Sequence, residues 1–277
     1  MTFFLLTFAL TWAAWLTAAA LASPGNTGFF GVHGPVFLIG VFAPALVAIG
    51  LTARNEGQPG VRALLARIGR WEVGARWYFF AVGFMLAVKL TAAFIHRAVT
   101  GEWPPFGDTP WVVRFAAILV STWAQAGEEI GWRGYALPRL AGRLGLGPAS
   151  VVLGVIWALW HLPLFFLPDS GTDSQSFPVY MLHVAAISVA MAWLYWRTAG
   201  SLLLVMVMHA SVNNTTGVVS APVPTGAGPF ALSGSLMAWL TVGLSWAAVT
   251  VLLLQMRRAP IAALSSVGSR EVRSHDD

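Results

Sequence analysis

The chain has 277 residues, 57% of them hydrophobic and only 10% charged, with a mean hydropathy of +0.71; a soluble domain carries about 25% charged residues. That balance excludes an ordinary soluble globule and points to an all-α polytopic membrane protein in one domain, 1–260, followed by a disordered cytoplasmic tail, 261–277. The formal charge of +5 would suggest nucleic acid in a soluble chain, but here the basic residues report topology, and the lack of cysteine excludes disulfides and thiolate chemistry.

A helical span needs about 20 mostly apolar residues. Eight stretches qualify: 2–22, 35–53, 77–98, 111–131, 148–167, 177–196, 201–220 and 235–256. Breakers separate them, among them Pro24 with Gly25, Pro59 with Gly60, Pro104 with Pro105, Pro168, and the stretch from Pro222 to Pro229. The first span ends in ALAS, 20–23, which could be a signal-peptidase site. No basic residue precedes the run, and it is about twice the length of a signal core, so it reads as a retained helix.

Loop charge sets orientation. Arg54, Arg62, Arg67, Arg70, Arg76, Arg133, Arg139, Arg143, Arg197, Arg257, Arg258, Arg270 and Arg273 all fall on one side if the spans alternate. The other side receives only Arg97 and Arg114, with Asp108, Asp169 and Asp173. Both termini are therefore expected in the cytoplasm, and the chain is read as an integral protein of the bacterial plasma membrane. Residues 60–71, GVRALLARIGRW, put arginines on one face and Leu64, Leu65 and Ile68 on another, as a short helix lying on the inner leaflet would. A plain basic loop fits those residues nearly as well.

Ionisable groups inside spans are costly and are functional candidates by default. They are Lys89 and His96 in the third span, Glu128 and Glu129 in the fourth, His161 in the fifth, His183 in the sixth, and His209 with Asn213 in the seventh; Asn214 is adjacent. At 1.5 Å per residue, and with the fourth helix running on to about Leu140, Glu128 lies about 18 Å from the inner end. His161 then lies about 20 Å up, His209 about 14 Å and Asn213 about 20 Å. Three helices thus bring Glu, His, His and Asn to one depth. Residues four apart share a helix face. That predicts a Glu129–Arg133 ion pair, His209 and Asn213 facing one cavity, and the Trp157 ring packed one turn from His161. Lys89, in mid-span, calls for a carboxylate partner or a water-filled cavity. His96 and His183 read as packing or interface residues, Asn214 as a helix–helix hydrogen bond, and most tryptophans as interfacial belts and packing.

A carboxylate and an imidazole in a dry pocket form a water-activating pair. A second histidine with an asparagine amide offers donors to a developing oxyanion. These are parts for hydrolysing an amide bond without a covalent intermediate. The same Glu128, His161 and His209 are also a plausible Zn²⁺ shell, although no HExxH is present. The residues leave both mechanisms open, and the cofactor is either Zn²⁺ or none.

Three stretches in order, EEIGWR (Glu128, Glu129, Arg133), WALWH (ending at His161) and HASVN (His209, Asn213), resemble the CPBP family of CAAX proteases and bacteriocin-processing enzymes, across a motif core of about 111–220. Trp157 stands where that family usually has Phe. The resemblance implies an eight-helix intramembrane endopeptidase acting on a peptide or lipid-anchored protein substrate among membrane lipids. By the same likeness Glu128 is the general base and His161 its partner on the water. His209 and Asn213 stabilise the oxyanion, and Glu129 and Arg133 hold the site together. Two readings from other classes stand beside it, an ion- or proton-coupled transporter and a non-catalytic scaffold or bacteriocin-immunity protein. Internal repeats would favour the transporter, and no convincing repeat is seen between the two halves.

Overall fold

The computed structural model describes residues 1–21, 33–167, 172, 175–219 and 228–257. The expected tail at 261–277, Ala22 and Ser23 of ALAS, Asp169 and Asp173 lie outside the described residues. Those residues form an all-α membrane protein, with a single isolated β-bridge, Phe106 to Val219, as their only extended pairing.

The helices are α1 Thr2–Leu21, α2 His33–Ala66, α3 Ala75–Thr100, α4 Trp111–Ala124, α5 Ala126–Glu129, α6 Leu137–Leu144, α7 Leu146–Trp160, α8 Phe177–Arg197, α9 Leu202–Thr215 and α10 Leu236–Met256. Six helical stretches are long and apolar enough to cross a membrane: Thr2–Leu21, Gly34–Gly69, Ala75–Thr100, Leu146–Phe166, Phe177–Arg197 and Leu236–Met256. The two other expected spans differ. Leu202–Thr215 is apolar but shorter. The stretch read as one helix from 111 to about Leu140 is broken: α4 ends before Gln125, α5 is one turn, and Ile130–Ala136 is a π-helix leading into α6.

The physical reason for the break lies in the side chains. Gln125 is polar, and Gly127, Gly131 and Gly134 favour helix weakly. Gly131 packs against α2 so closely that a Cβ there would come 2.5 Å from Pro44. A π turn takes in an extra residue and re-aims the side chains beyond it.

The other boundaries reflect local chemistry. Gly57, at φ 69°, breaks α2 where the apolar run ends, and Pro59 opens the next helical turn. The segment beyond it is helical, as the arginine-face reading required. It is clipped to the bundle by Arg67, which donates to the Gly134 carbonyl at 3.0 Å and the Tyr195 hydroxyl at 2.9 Å, and by Arg70, which donates to the Ala199 carbonyl. Gly101 closes α3 in the left-handed region. Ser176 and Ser235 cap α8 and α10 through their hydroxyls.

Helices α8 and α9 sit innermost, apolar nearly all round, as a helix surrounded by other helices should be. Around them α1 packs on α2, α7 on α8, α3 on α9 and α10 on α8. Six tryptophans, Trp15, Trp77, Trp132, Trp157, Trp160 and Trp193, are core residues rather than belt residues. Trp15, Trp132 and Trp160 are at most 1% exposed. Trp160 lies 4.7 Å from Trp15 and 5.7 Å from Trp132, ring centre to ring centre.

Candidate active site

Glu128 and Glu129 lie on the single turn of α5, directly before the π-helix that carries Arg133. All three are buried, Glu129 and Arg133 completely. His161 is the residue just past the end of α7, where Pro163 prevents the helix from continuing. His209 projects from α9 and is buried.

The expected ion pair is present, with Arg133 Nη1 donating to Glu129 Oε1 at 2.9 Å. The same oxygen takes His209 Nδ1 at 2.8 Å. Glu129 therefore does more than secure its own helix, because it ties α5 to α9. Its Oε2, and Arg133 Nε and Nη2, are buried without hydrogen-bond partners among the described residues.

Trp157 joins the parts. Its indole Nε1 donates to Glu128 Oε2 at 2.7 Å. Its backbone carbonyl accepts from His161 Nδ1 at 2.9 Å. Its ring stands 5.1 Å from His209 and 5.7 Å from His161, centre to centre. The Arg133 guanidinium covers the ring at 4.3 Å. The packing of Trp157 on His161 matches the spacing argument, but the bond to Glu128 was not anticipated. An indole carries one N–H donor that needs an acceptor when buried, and sequence alone does not say which acceptor.

These bonds assign protons. A carbonyl only accepts, so His161 donates through Nδ1, and a neutral ring then keeps an acceptor at Nε2. Glu128 Oε2 accepts the indole N–H, and Oε1 takes no part in that bond. His209 donates to Glu129 through Nδ1. It donates from Nε2 as well only when both nitrogens carry protons.

The wall around His161 is aromatic: Trp160 at 4.6 Å, Tyr180 at 5.7 Å and Trp15 at 6.3 Å between ring centres. Behind it, Trp160 Nε1 donates to Thr11 Oγ1 at 2.8 Å, and Thr11 donates to the Gly40 carbonyl at 2.9 Å. The imidazole is thus braced from α1 and α2.

The remaining candidates separate. Asn213, one turn beyond His209, is exposed. Asn214 makes the expected interhelical bond, to Ser121 Oγ at 3.0 Å. Lys89 is buried and donates to the Val219 carbonyl at 3.3 Å. No carboxylate pairs with it among the described residues, so of the two expectations, a carboxylate partner or a water-filled cavity, the first is not met and a carbonyl takes that place. His96 Nδ1 lies 3.0 Å from the Glu102 carbonyl at the end of α3. His183 Nδ1 is buried without a hydrogen bond among the described residues.

Arg114, read from the sequence only as a topology marker, is buried and donates to the carbonyls of Thr109, Asn214 and Gly217, each at 3.2 Å. It closes the C-terminal end of α9 just beyond Asn213, where a cation suits the helix dipole. Its place four residues into an apolar helix was the available signal.

Glu128, His161 and His209 are also the candidate ligands of one metal ion. Among the described residues no three His, Cys, Asp or Glu stand together as one ion would require. The Nδ1 atoms of both histidines and one oxygen of Glu128 bond protein partners, which leaves both Nε2 atoms and Glu128 Oε1 as the remaining donors.

Residues 110–215 match the family model described as Type II CAAX prenyl endopeptidase Rce1-like. The chain is also 27% identical over 227 residues to a protein of Methanococcus maripaludis named CAAX prenyl protease 2, an alignment covering 76% of this chain and 81% of the relative. The segment matched by the family model holds Glu128, Glu129, Arg133, Trp157, His161 and His209, while the bracing residues of α1 and α2 lie outside it.

Proposed function

We propose, from a chain that belongs to the Rce1-like CAAX prenyl endopeptidase family, that it hydrolyses a peptide bond of a membrane-associated or lipid-anchored protein by a water held between Glu128 and His161. The observation that carries this reading is the double engagement of Trp157, whose indole holds Glu128 and whose carbonyl holds His161. One residue thereby aims a base and an acceptor from two different helices.

The water gives a proton to Glu128 Oε1 while its second hydrogen is accepted by His161 Nε2. Its oxygen attacks the scissile carbonyl carbon, and the carbonyl oxygen becomes an oxyanion. His209, held through Nδ1 by the Glu129 carboxylate, donates to that oxyanion from Nε2 when both its nitrogens carry protons. Donors aimed at developing charge in a dry site are a large part of such catalysis. The C–N bond then breaks, and the proton held by Glu128 passes to the departing amine. The water becomes part of the new carboxyl group, so atoms and protons balance without a covalent enzyme intermediate. Glu129 and Arg133 position His209 and the α5 turn.

The test is cleavage of a peptide library, with prenylated CAAX peptides included, by purified protein in lipid, read by mass spectrometry. Glu128→Gln keeps the shape and the indole bond but cannot take a proton. We expect wild-type cleavage and a loss of about 10²–10⁴-fold in the variant. Equal cleavage by both proteins would overturn the role of Glu128.

A further inference from the structure

A second polar site lies away from Glu128 and His161. A cavity of about 630 Å³ opens between the start of α1, the end of the apolar part of α2, and α6. Its lining includes Arg54, Asn55, Arg139 and Arg143, and its apolar wall is built by Phe3, Phe4, Leu51 and Leu140. Residues of α6 four apart share a face, so Arg139 and Arg143 project together from that short helix.

The three arginines are not equivalent. Arg139 is held in place: its guanidinium lies 3.6 Å over the Tyr135 ring, donates to the Tyr135 carbonyl at 3.1 Å and pairs with Glu56 at 2.6 Å. Arg54 and Arg143 have no ion-pair partner among the described residues. The cavity therefore keeps uncompensated positive charge, with an amide beside it and an apolar wall beneath it. The arginine distribution of the sequence assigns this end of the bundle to the headgroup layer.

Charge above and hydrocarbon below describe one kind of ligand. We infer that this cavity seats the headgroup of an anionic phospholipid, its phosphate between Arg54 and Arg143 and the start of its acyl chains along Phe3, Phe4 and Leu140. Arginine forks bind phosphate oxygens in pairs, and basic pockets between membrane helices bind anionic headgroups. A soluble anion would need the cations but gain nothing from the apolar wall. A zwitterionic lipid would meet the wall but bring its own cation to the arginines.

The experiment uses the purified full chain, delipidated in neutral detergent. It is titrated separately with dihexanoyl phosphatidylglycerol, dihexanoyl phosphatidylcholine and inorganic phosphate, and occupancy is read by native mass spectrometry. We expect one phosphatidylglycerol to bind about tenfold more tightly than phosphatidylcholine, with the preference shrinking as salt rises. Arg54→Gln with Arg143→Gln should erase that preference, while Arg54→Lys with Arg143→Lys keeps most of it. Arg62→Gln with Arg257→Gln, two arginines outside the cavity lining, should leave it unchanged. Melting temperature in detergent separates lost binding from lost fold. Equal binding of both lipids, a Gln pair that still prefers phosphatidylglycerol, or inorganic phosphate binding as tightly as phosphatidylglycerol would each overturn the assignment.

Discussion

Two arginine–glutamate pairs in this molecule have nearly the same chemistry and opposite surroundings. Glu129 and Arg133 meet at 2.9 Å with neither side chain exposed, whereas Glu56 and Arg139 meet at 2.6 Å with 48% and 45% of their side chains exposed. The shorter contact is the weaker structural element. At the exposed pair water screens the charges, and ordering two long side chains offsets most of the attraction. At the buried pair each charge has been stripped of water, so its partner is indispensable even where the pair's net contribution is small. Burial ranks these contacts, and distance does not.

Breaking each pair tests that ranking. Arg133→Met leaves Glu129 buried with only His209, and we expect a loss of about 3–5 kcal/mol, read as reversible unfolding in mixed detergent. A loss below about 1 kcal/mol would mean that the buried pair behaves like a surface pair.

Trp157→Phe sharpens the comparison by removing a neutral donor from a buried carboxylate while keeping a ring between Arg133 and the two histidines. A hydrogen bond to a charged group contributes about 1.5–3 kcal/mol. The expected outcome is a fall of roughly 10- to 100-fold in kcat, with little change in the melting temperature. Wild-type kcat would show that the indole bond to Glu128 does not aim the carboxylate.

Arg114 is a buried arginine served by carbonyls alone, and it should fall between the two pairs. Arg114→Gln is expected to cost about 1 kcal/mol and to speed amide hydrogen exchange at the end of α9. Unchanged exchange there would sink the capping role. The smallest effect belongs to Arg139→Gln. It should change stability by less than about 1 kcal/mol, and less still at high salt. A larger, salt-independent change would mean that the Glu56 pair behaves as if buried.

The sequence made part of this visible for a simple reason. Glutamates and histidines inside apolar runs have few explanations, and a four-residue spacing reports a shared face. Glu128, Glu129, Arg133, His161 and His209 were legible on those grounds, and Asn214 found the interhelical bond its position suggested. What stayed hidden depends on contacts between distant segments. The closeness of Gly131 to Pro44 links positions far apart in the chain, and it accompanies a π turn that composition does not mark. Trp157 reads as packing because an indole N–H has no sequence-local partner. Lys89 found a carbonyl at Val219 where a carboxylate or a water-filled cavity was expected. The fourth expected span is broken into α4, α5 and the π-helix for the same reason. Apolar content fixes how much chain can enter a membrane, not whether the helix stays unbroken.

The π-helix at Ile130–Ala136 also sets an angle. An α-helix turns about 100° per residue, so the one additional residue that a π turn absorbs acts as an angular offset between the helix before it and the helix after it. Glu128 and Glu129 lie upstream of the offset, and Arg139 and Arg143 lie downstream. A single-residue deletion inside the turn would relax it to ordinary helix and swing the downstream arginines by roughly that angle, while the carboxylates stayed in place. The interior carboxylates and the rim arginines therefore share one backbone but not one phase. In this stretch the number of residues, and not only their identities, sets which way each group faces.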